Sequence, residues 1–277
     1  MNFFNILDVI EKIDADAYER VERESRRYFF NRVSSKVAAL AGPAILASVV
    51  TKTYAQTSDA IDVLKFALTL EYLEDEYYKM GNMVADSLMV GDYAKYKPVF
   101  AQIGKHETQH VKYLEAALGA QPKPTFDFTV GGAYDPFHNF DNFVFLSHAF
   151  EDTGVRAYKG QADRLMAVAD KPYLQVALQI HSVEARHASI SRRILGAIRN
   201  KPAIKGWITN DEGSPAAVYQ GEFSEATVVQ GGVNIIGLDG LDGIPTGDTL
   251  FKAASEAFDE ILTKKEATDI AMLFFKK

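Results

Sequence analysis

The chain has 277 residues, of which 47% are hydrophobic and 24% are charged, a composition typical of a globular protein. Its net charge of −7 argues against a nucleic-acid partner, because there is no basic stripe that could displace counterions from phosphates. The absence of cysteine excludes disulfides, thiol nucleophiles and zinc-finger sites.

Residues 1–55 have the features of an export leader. Arg26 and Arg27 precede three aromatic residues, and an apolar run at 37–50 leads to small residues before Gln56. This order resembles a twin-arginine signal and predicts a periplasmic or otherwise exported protein. The alternative is an amphipathic helix that packs on the rest of a cytoplasmic protein. The apolar run is too short to predict a stable membrane span.

Four long helices are predicted next, over 58–90, 94–118, 141–169 and 172–200. Ser58 suits a helix N-terminus, Gly119 a C-terminus and Pro172 a first helical turn. Short links join the helices within each pair, whereas residues 120–140 form a long link between the pairs. The sequence therefore predicts an all-α four-helix bundle over 56–200 with one long crossover.

Residues 201–277 are predicted to form a C-terminal extension. Residues 201–250 contain many glycines and predict irregular structure, without the spacing of a nucleotide-binding or calcium-binding loop. Apolar residues then recur at helical spacing, which predicts two short helices over 247–275 that pack on the bundle.

The motif Glu-x-x-His occurs twice, as Glu107/His110 and Glu184/His187. Residues three apart on a helix lie on the same face, so each motif directs a carboxylate and an imidazole to one point. Both motifs interrupt an otherwise apolar stripe that should face the core. An unpaired buried charge costs several kcal/mol, so these groups need neutralising partners, and a metal is the simplest candidate.

Two further glutamates extend the pattern into an internal repeat. Glu71 and Glu151 lie on the other two helices, and each is followed seven residues later by a tyrosine, Tyr78 or Tyr158. The chain order is Glu, Glu-x-x-His, Glu, Glu-x-x-His, as expected for a helix pair present twice. Glu74 is the second choice on the first helix; Glu71 is preferred because its spacing to Tyr78 is repeated at Glu151.

Charge counting favours two metal ions over one. Four ionised carboxylates carry −4, which two divalent cations cancel, whereas one cation leaves about −2 in a medium of low dielectric constant. Carboxylate and imidazole ligands without a thiolate suit iron or manganese. The expected cofactors are therefore two Fe or two Mn ions.

This order of motifs is the ligand set of ferritin-like di-iron and di-manganese carboxylate bundles, and residues 58–200 resemble that superfamily. The segments 67–74, 150–158 and 254–260 are similar to a bacterial ferritin-like family related to plant desiccation-related proteins. The resemblance implies a ferritin-like bundle with ligand roles for six residues. It implies Glu71 and Glu151 as terminal ligands, Glu107 and Glu184 as bridging ligands, and His110 and His187 as imidazole ligands.

Other residues near these positions are candidates for supporting roles. Tyr78 and Tyr158 could hydrogen-bond a ligand carboxylate or carry a radical in catalysis, or could be ordinary core tyrosines. His148 and His181 each lie three residues before a ligand glutamate and could hold a ligand in place. The two remaining histidines considered, His106 and His138, are expected at the surface or in loops.

Two functions are compatible with these features. The first is a redox enzyme whose dinuclear centre reacts with oxygen or peroxide. The second is a stress or envelope protein, in which the metal site is structural or vestigial and the extension binds a partner. A homo-oligomer is compatible with both, and a storage cage is a weaker third possibility. The complete set of six ligands favours the redox enzyme.

Overall fold

The computed structural model of the protein describes residues 57–119, 121–211, 213–238 and 247–276. The predicted export leader, with Arg26 and Arg27, lies outside these residues. Among the helices within them, none combines the length and the apolar character needed to cross a membrane.

The bundle region contains four long helices and one short one, which confirms the predicted all-α class. Thr57 caps the first helix, because its hydroxyl oxygen accepts a hydrogen bond from the Ala60 amide at 3.1 Å. Asn139 caps the third long helix through the Asn142 amide in the same way. The bounds are α1 Ser58–Met83, α2 Ala85–Leu88, α3 Lys97–Leu118, α4 Phe140–Gln161 and α5 Lys171–Ile198.

Two predicted helices end earlier than expected. After α2, the backbone of Gly91 adopts a φ of +56°, so the chain turns there and a 3-10 helix leads into α3. Likewise α4 ends at Gln161, and two 3-10 segments, Ala162–Leu165 and Val168–Asp170, replace the predicted last turns. The connection between the helix pairs is the predicted long crossover.

The extension contains little regular structure in its described residues. Beyond the bundle, Val229 and Gln230 pair with Asn234 and Val233 in a two-stranded antiparallel ribbon. The last helix begins with a capping box in which Thr263 and Glu266 each bond the other's backbone amide. The elements are α6 Ala216–Tyr219, β1 Val229–Gln230, β2 Val233–Asn234, α7 Asp248–Glu256 and α8 Lys264–Met272.

A buried arginine joins the extension to the bundle. Arg156 of α4 is fully buried, and its guanidinium pairs with Glu225 at 2.8 Å. Its N–H groups also donate to backbone carbonyls of the extension: Nε to Glu260, and the two terminal nitrogens to Val218, Phe223 and Ile261. On the same side of α4, Asp152 pairs with Arg192 of α5 and accepts a hydrogen bond from Tyr219 of α6 at 2.6 Å.

Two apolar clusters lie at different levels along the helices. One is rich in aromatic rings, including Tyr77, Phe143 and Phe150. The other includes Leu68 and Leu114. On each long helix, the buried polar residues described below come between residues of these two clusters, so a polar layer interrupts an apolar core.

Candidate metal centre

The four long helices bring all six predicted ligand residues together. Each of the six is at most 9% exposed, and they supply two groups of potential metal-ligand atoms. Within each group the atoms lie within 4.8 Å of one another. The contributors are Glu71 from α1, Glu107 and His110 from α3, Glu151 from α4, and Glu184 and His187 from α5.

The first group surrounds the imidazole of His110. Its Nδ1 lies 2.9 Å from Glu107 Oε2, 3.1 Å from Glu184 Oε1 and 3.2 Å from Glu71 Oε2. A single ring N–H can donate well to only one of these oxygens. The crowding of three carboxylate oxygens around one nitrogen is therefore not explained by hydrogen bonding alone.

The second group surrounds the imidazole of His187. Its Nδ1 lies 2.8 Å from Glu107 Oε1, 3.2 Å from Glu151 Oε2 and 3.8 Å from Glu184 Oε2. All four of these atoms are buried, and none has a hydrogen-bond partner of acceptable geometry among the described residues. Buried polar atoms without partners are costly, so four that converge on one point indicate a ligand that completes them.

Glu107 and Glu184 belong to both groups. Each places one carboxylate oxygen near His110 and the other near His187. A carboxylate that presents its two oxygens to two neighbouring positions has the geometry of a bridge. The bridging roles that the family resemblance implies for these two residues stay a prediction.

The two tyrosines connect the helix pairs crosswise. Tyr158 of α4 donates to Glu71 Oε1 of α1 at 2.5 Å, and Tyr78 of α1 donates to Glu151 Oε1 of α4. Burial raises the pKa of both tyrosines well above the usual value, so both hydroxyls keep their protons and remain donors. Each terminal glutamate thus has one oxygen fixed by a tyrosine and the other directed into its group.

Burial also controls the charge of the cluster. It raises the pKa of Glu184 and of Glu107, because a desolvated carboxylate is costly and further carboxylates lie nearby. Burial disfavours the imidazolium of His187, but the surrounding carboxylates raise its pKa to about 11, and that of His110 rises for the same reason. The metal-free cluster therefore favours the uptake of protons, as expected for an excess of buried negative charge.

Glu74 is a buried carboxylate next to the cluster, in addition to the four glutamates of the two groups, and it belongs to neither group. Burial and the carboxylates of Glu184 and Glu151 raise its pKa, so its neutral form is favoured. A Cβ added at Gly154 would lie 3.3 Å from Glu74 Oε1 and 3.5 Å from Glu184 Oε2. The glycine therefore leaves room beside this carboxyl group. The cavity there is closed from the other side by Ile270 and Ala271 of α8.

His106 was expected at the surface or in a loop, and its contact with the cluster was not predicted. It is half-buried on α3, and its Nδ1 lies 2.9 Å from Nε2 of His187, with the two rings nearly parallel. The signal available in the sequence was its position immediately before Glu107 and four residues before His110. His138 does lie in the crossover with an exposed side chain, paired with Asp135.

The two histidines proposed to hold ligands lie elsewhere. His181 is close to the carbonyl of Val155, at 3.0 Å from its Nδ1, and His148 packs against the ring of Phe145. Among the described residues, neither makes a hydrogen bond to any of the six cluster residues. Burial lowers the pKa of His148 to about 4, which keeps its imidazole neutral.

Comparison with known proteins agrees with this architecture. A family model described as a ferritin-like domain matches residues 59–197, half of the chain. No curated protein and no solved structure gives a significant match to the chain. The match covers α1 to α5 and all six cluster residues, and the protein therefore belongs to the ferritin-like domain family.

Proposed function

We propose that the protein binds two Fe or two Mn ions at this cluster and that the loaded centre reacts with oxygen or peroxide. The observation that carries the proposal is the second group, in which four buried ligand atoms converge without hydrogen-bond partners in the part of the chain that the structure describes. A hydrogen-bonded polar core would instead satisfy most of these atoms.

The spacing of the donor atoms supports metal binding. Metal–ligand bonds of about 2.1 Å at right angles place neighbouring ligand atoms about 3.0 Å apart. The separations around His110 are 2.9 to 3.2 Å, and the two shortest around His187 are 2.8 and 3.2 Å. The donor atoms are therefore already spaced as the ligands of an ion would be.

The charge of the cluster supports two ions. The four carboxylates of the two groups carry −4 when ionised, and two divalent cations cancel this charge. Glu74 is not part of this count, because it belongs to neither group of ligand atoms. The sharing of Glu107 and Glu184 between the groups favours two neighbouring positions over one.

The donor atoms also support the choice of metal. Oxygen and imidazole nitrogen ligands suit iron and manganese, and the chain has no cysteine that could supply a thiolate. When bound, such ions supply the electron exchange with oxygen or peroxide that amino-acid side chains do not provide.

The protein residues contribute position and exclusion of water. Tyr78 and Tyr158 hold the terminal glutamates so that one oxygen of each faces the centre. The apolar clusters on both sides keep bulk water away. The least enclosed of the six residues is His110, whose side chain is 11% exposed, so small reactants would approach from the side of α3 and α5 on which the histidines lie.

Metal analysis combined with activity assays tests the proposal. Protein reconstituted with iron or manganese should hold about two ions per chain and consume oxygen or peroxide. Glu107→Ala should lose both properties, because Glu107 serves both groups, whereas His138→Ala in the exposed crossover should retain them. A folded wild-type protein that stays metal-free would refute the proposal. Two bound ions without any consumption would support the structural-site alternative instead.

A further inference from the structure

The two imidazoles of the centre have different surroundings. Nε2 of His187 lies 2.9 Å from Nδ1 of His106, and the ring centroids are 5.1 Å apart with an interplanar angle of 8°. The other nitrogen of His106 lies 2.7 Å from the side-chain amide of Gln102, which is exposed. A chain of three polar side chains therefore leads from the second group to the surface.

Among the described residues, no comparable chain of polar side chains leads from the first group to the surface. His106 precedes Glu107 directly, and the residue that precedes Glu184 in the repeat is Val183, which has no polar side-chain atom. The hydrogen bonds of His110 in the described structure all involve its Nδ1. Its Nε2 therefore has no side-chain partner comparable with His106.

The tyrosines show the same asymmetry. Besides its bond to Glu151, the Tyr78 hydroxyl contacts Ser147 Oγ at 2.7 Å, and Ser147 contacts Ser191 at 3.1 Å. In the repeat, the positions of these serines correspond to Ala67 and Leu114, which pack with Tyr158 in an apolar cluster. Two separate polar chains thus support the second group, and the positions that correspond to His106, Ser147 and Ser191 are apolar.

We propose that His106 is a positioning residue, which holds His187 with Nδ1 directed into the second group and so makes this the tighter of the two metal positions. This inference rests on the proposed binding of two ions. When Nε2–H of His187 donates to Nδ1 of His106, the lone pair of His187 Nδ1 is left for the ion. His106 then carries its own proton on Nε2 and donates it to Gln102, whose exposed amide turns so that Oε1 in place of Nε2 faces the ring. A hydrogen bond to the second ring nitrogen fixes the tautomer and the ring orientation of a metal-bound histidine.

Anaerobic titration with Co²⁺, followed by its visible absorbance, tests the inference. Wild type should bind two ions in two steps, and crystals with one Co²⁺ per chain should show anomalous density in the group of Glu151 and His187. His106→Val copies Val183 and should weaken the tighter step by roughly 10–100-fold. His106→Asn keeps an acceptor and should restore binding, while His138→Val, a change in the exposed crossover, should leave both steps unchanged.

The outcomes separate this inference from the proposed function. A wild-type protein that binds no Co²⁺ would refute the dinuclear centre itself. Two bound ions with unchanged steps in His106→Val, or with both steps weakened equally, would overturn the role of His106 alone. Thermal unfolding monitored by circular dichroism checks that His106→Val is folded. If it is not, anomalous density in the group of Glu71 and His110 at one Co²⁺ per wild-type chain overturns the inference.

Discussion

The two helix pairs, α1 with α3 and α4 with α5, supply the same ligand types but differ on their remaining faces. Glu151 follows Glu71 by 80 residues and Glu184 follows Glu107 by 77, so each position in one pair has a counterpart in the other. The buried ion pair of Asp152 with Arg192 corresponds to the pair Tyr72 and Glu115, joined by a hydrogen bond at 2.7 Å.

The fully buried Arg156 has a very different counterpart. In the first pair the corresponding residue is Glu76, which forms a surface ion pair with Lys123. The second pair thus has buried charges that attach the extension, whereas the first pair has other polar residues at the same positions. The predicted ligand positions and their tyrosines therefore follow the repeat, whereas the outward faces of the helices do not.

Replacing Arg156 by methionine should have the largest effect. Glu225 and four backbone carbonyls would lose their donor, and removal of one partner of a buried ion pair costs roughly 3–5 kcal/mol. Glu76→Met is the matched control and should change the free energy of unfolding by less than about 1 kcal/mol. Urea unfolding measures both. Equal effects of the two substitutions would show that Arg156 does not anchor the extension.

Replacing Glu71 by alanine tests which carboxylate of α1 is a ligand. Glu71 belongs to the first group and Glu74 to neither, so Glu71→Ala should weaken one metal position by more than about 100-fold, beyond what supporting residues typically contribute. Glu74→Ala should weaken binding less. Metal titration measures both variants. Full occupancy in Glu71→Ala together with loss in Glu74→Ala would place the ligand one helical turn further along.

The next prediction concerns His148, whose counterpart is Leu68. Burial lowers the pKa of His148 to about 4, below the value of about 6.5 for the unfolded chain. Its contribution to stability is therefore present above pH 6.5 and is lost as the pH falls towards 4. Between pH 7 and pH 5 the free energy of unfolding of the wild type should fall by about 2 kcal/mol more than that of His148→Leu. Urea unfolding at both pH values measures this, and parallel losses would contradict it.

The smallest effect is expected from Ser147→Ala, which copies Ala67 into the second pair. Tyr78 keeps its hydrogen bond to Glu151 but loses the contact with Ser147, so the free energy of unfolding should fall by about 1 kcal/mol. Ser182→Ala on the exposed face of α5 serves as the control in the same urea titrations. A variant as stable as the wild type would indicate that the polar chain around Tyr78 adds nothing to the fold.

Much of the fold and of the site was predictable because it depends on periodicity. Because residues three apart lie on one face of a helix, the spacing predicted that Glu107 lies beside His110 and Glu184 beside His187. The apolar stripe around each motif predicted that both pairs are buried. The capping signals placed three of the four helix starts within one residue and the fourth within three. The repeat of glutamate and tyrosine selected Glu71, which the structure places in the first group.

The rest depends on contacts between segments far apart in the chain. The room beside Glu74 exists because Gly154 faces it from α4, a contact across about 80 residues that periodicity does not reveal. Arg156 could have been exposed like its counterpart, and only the fold of the extension makes it the centre of a hydrogen-bond network. The contact of His106 with His187 joins α3 and α5, which belong to different helix pairs.

The composition of the two groups has a consequence for how the molecule is held together. The first group needs Glu184 from the second helix pair, and the second group needs Glu107 from the first, so neither pair alone contains a complete group. Glu71 and Glu184 are 113 residues apart in a chain without cysteine. Ions bound between the two helix pairs would act as covalent cross-links do in other proteins, because they would close a long loop and restrict the unfolded chain.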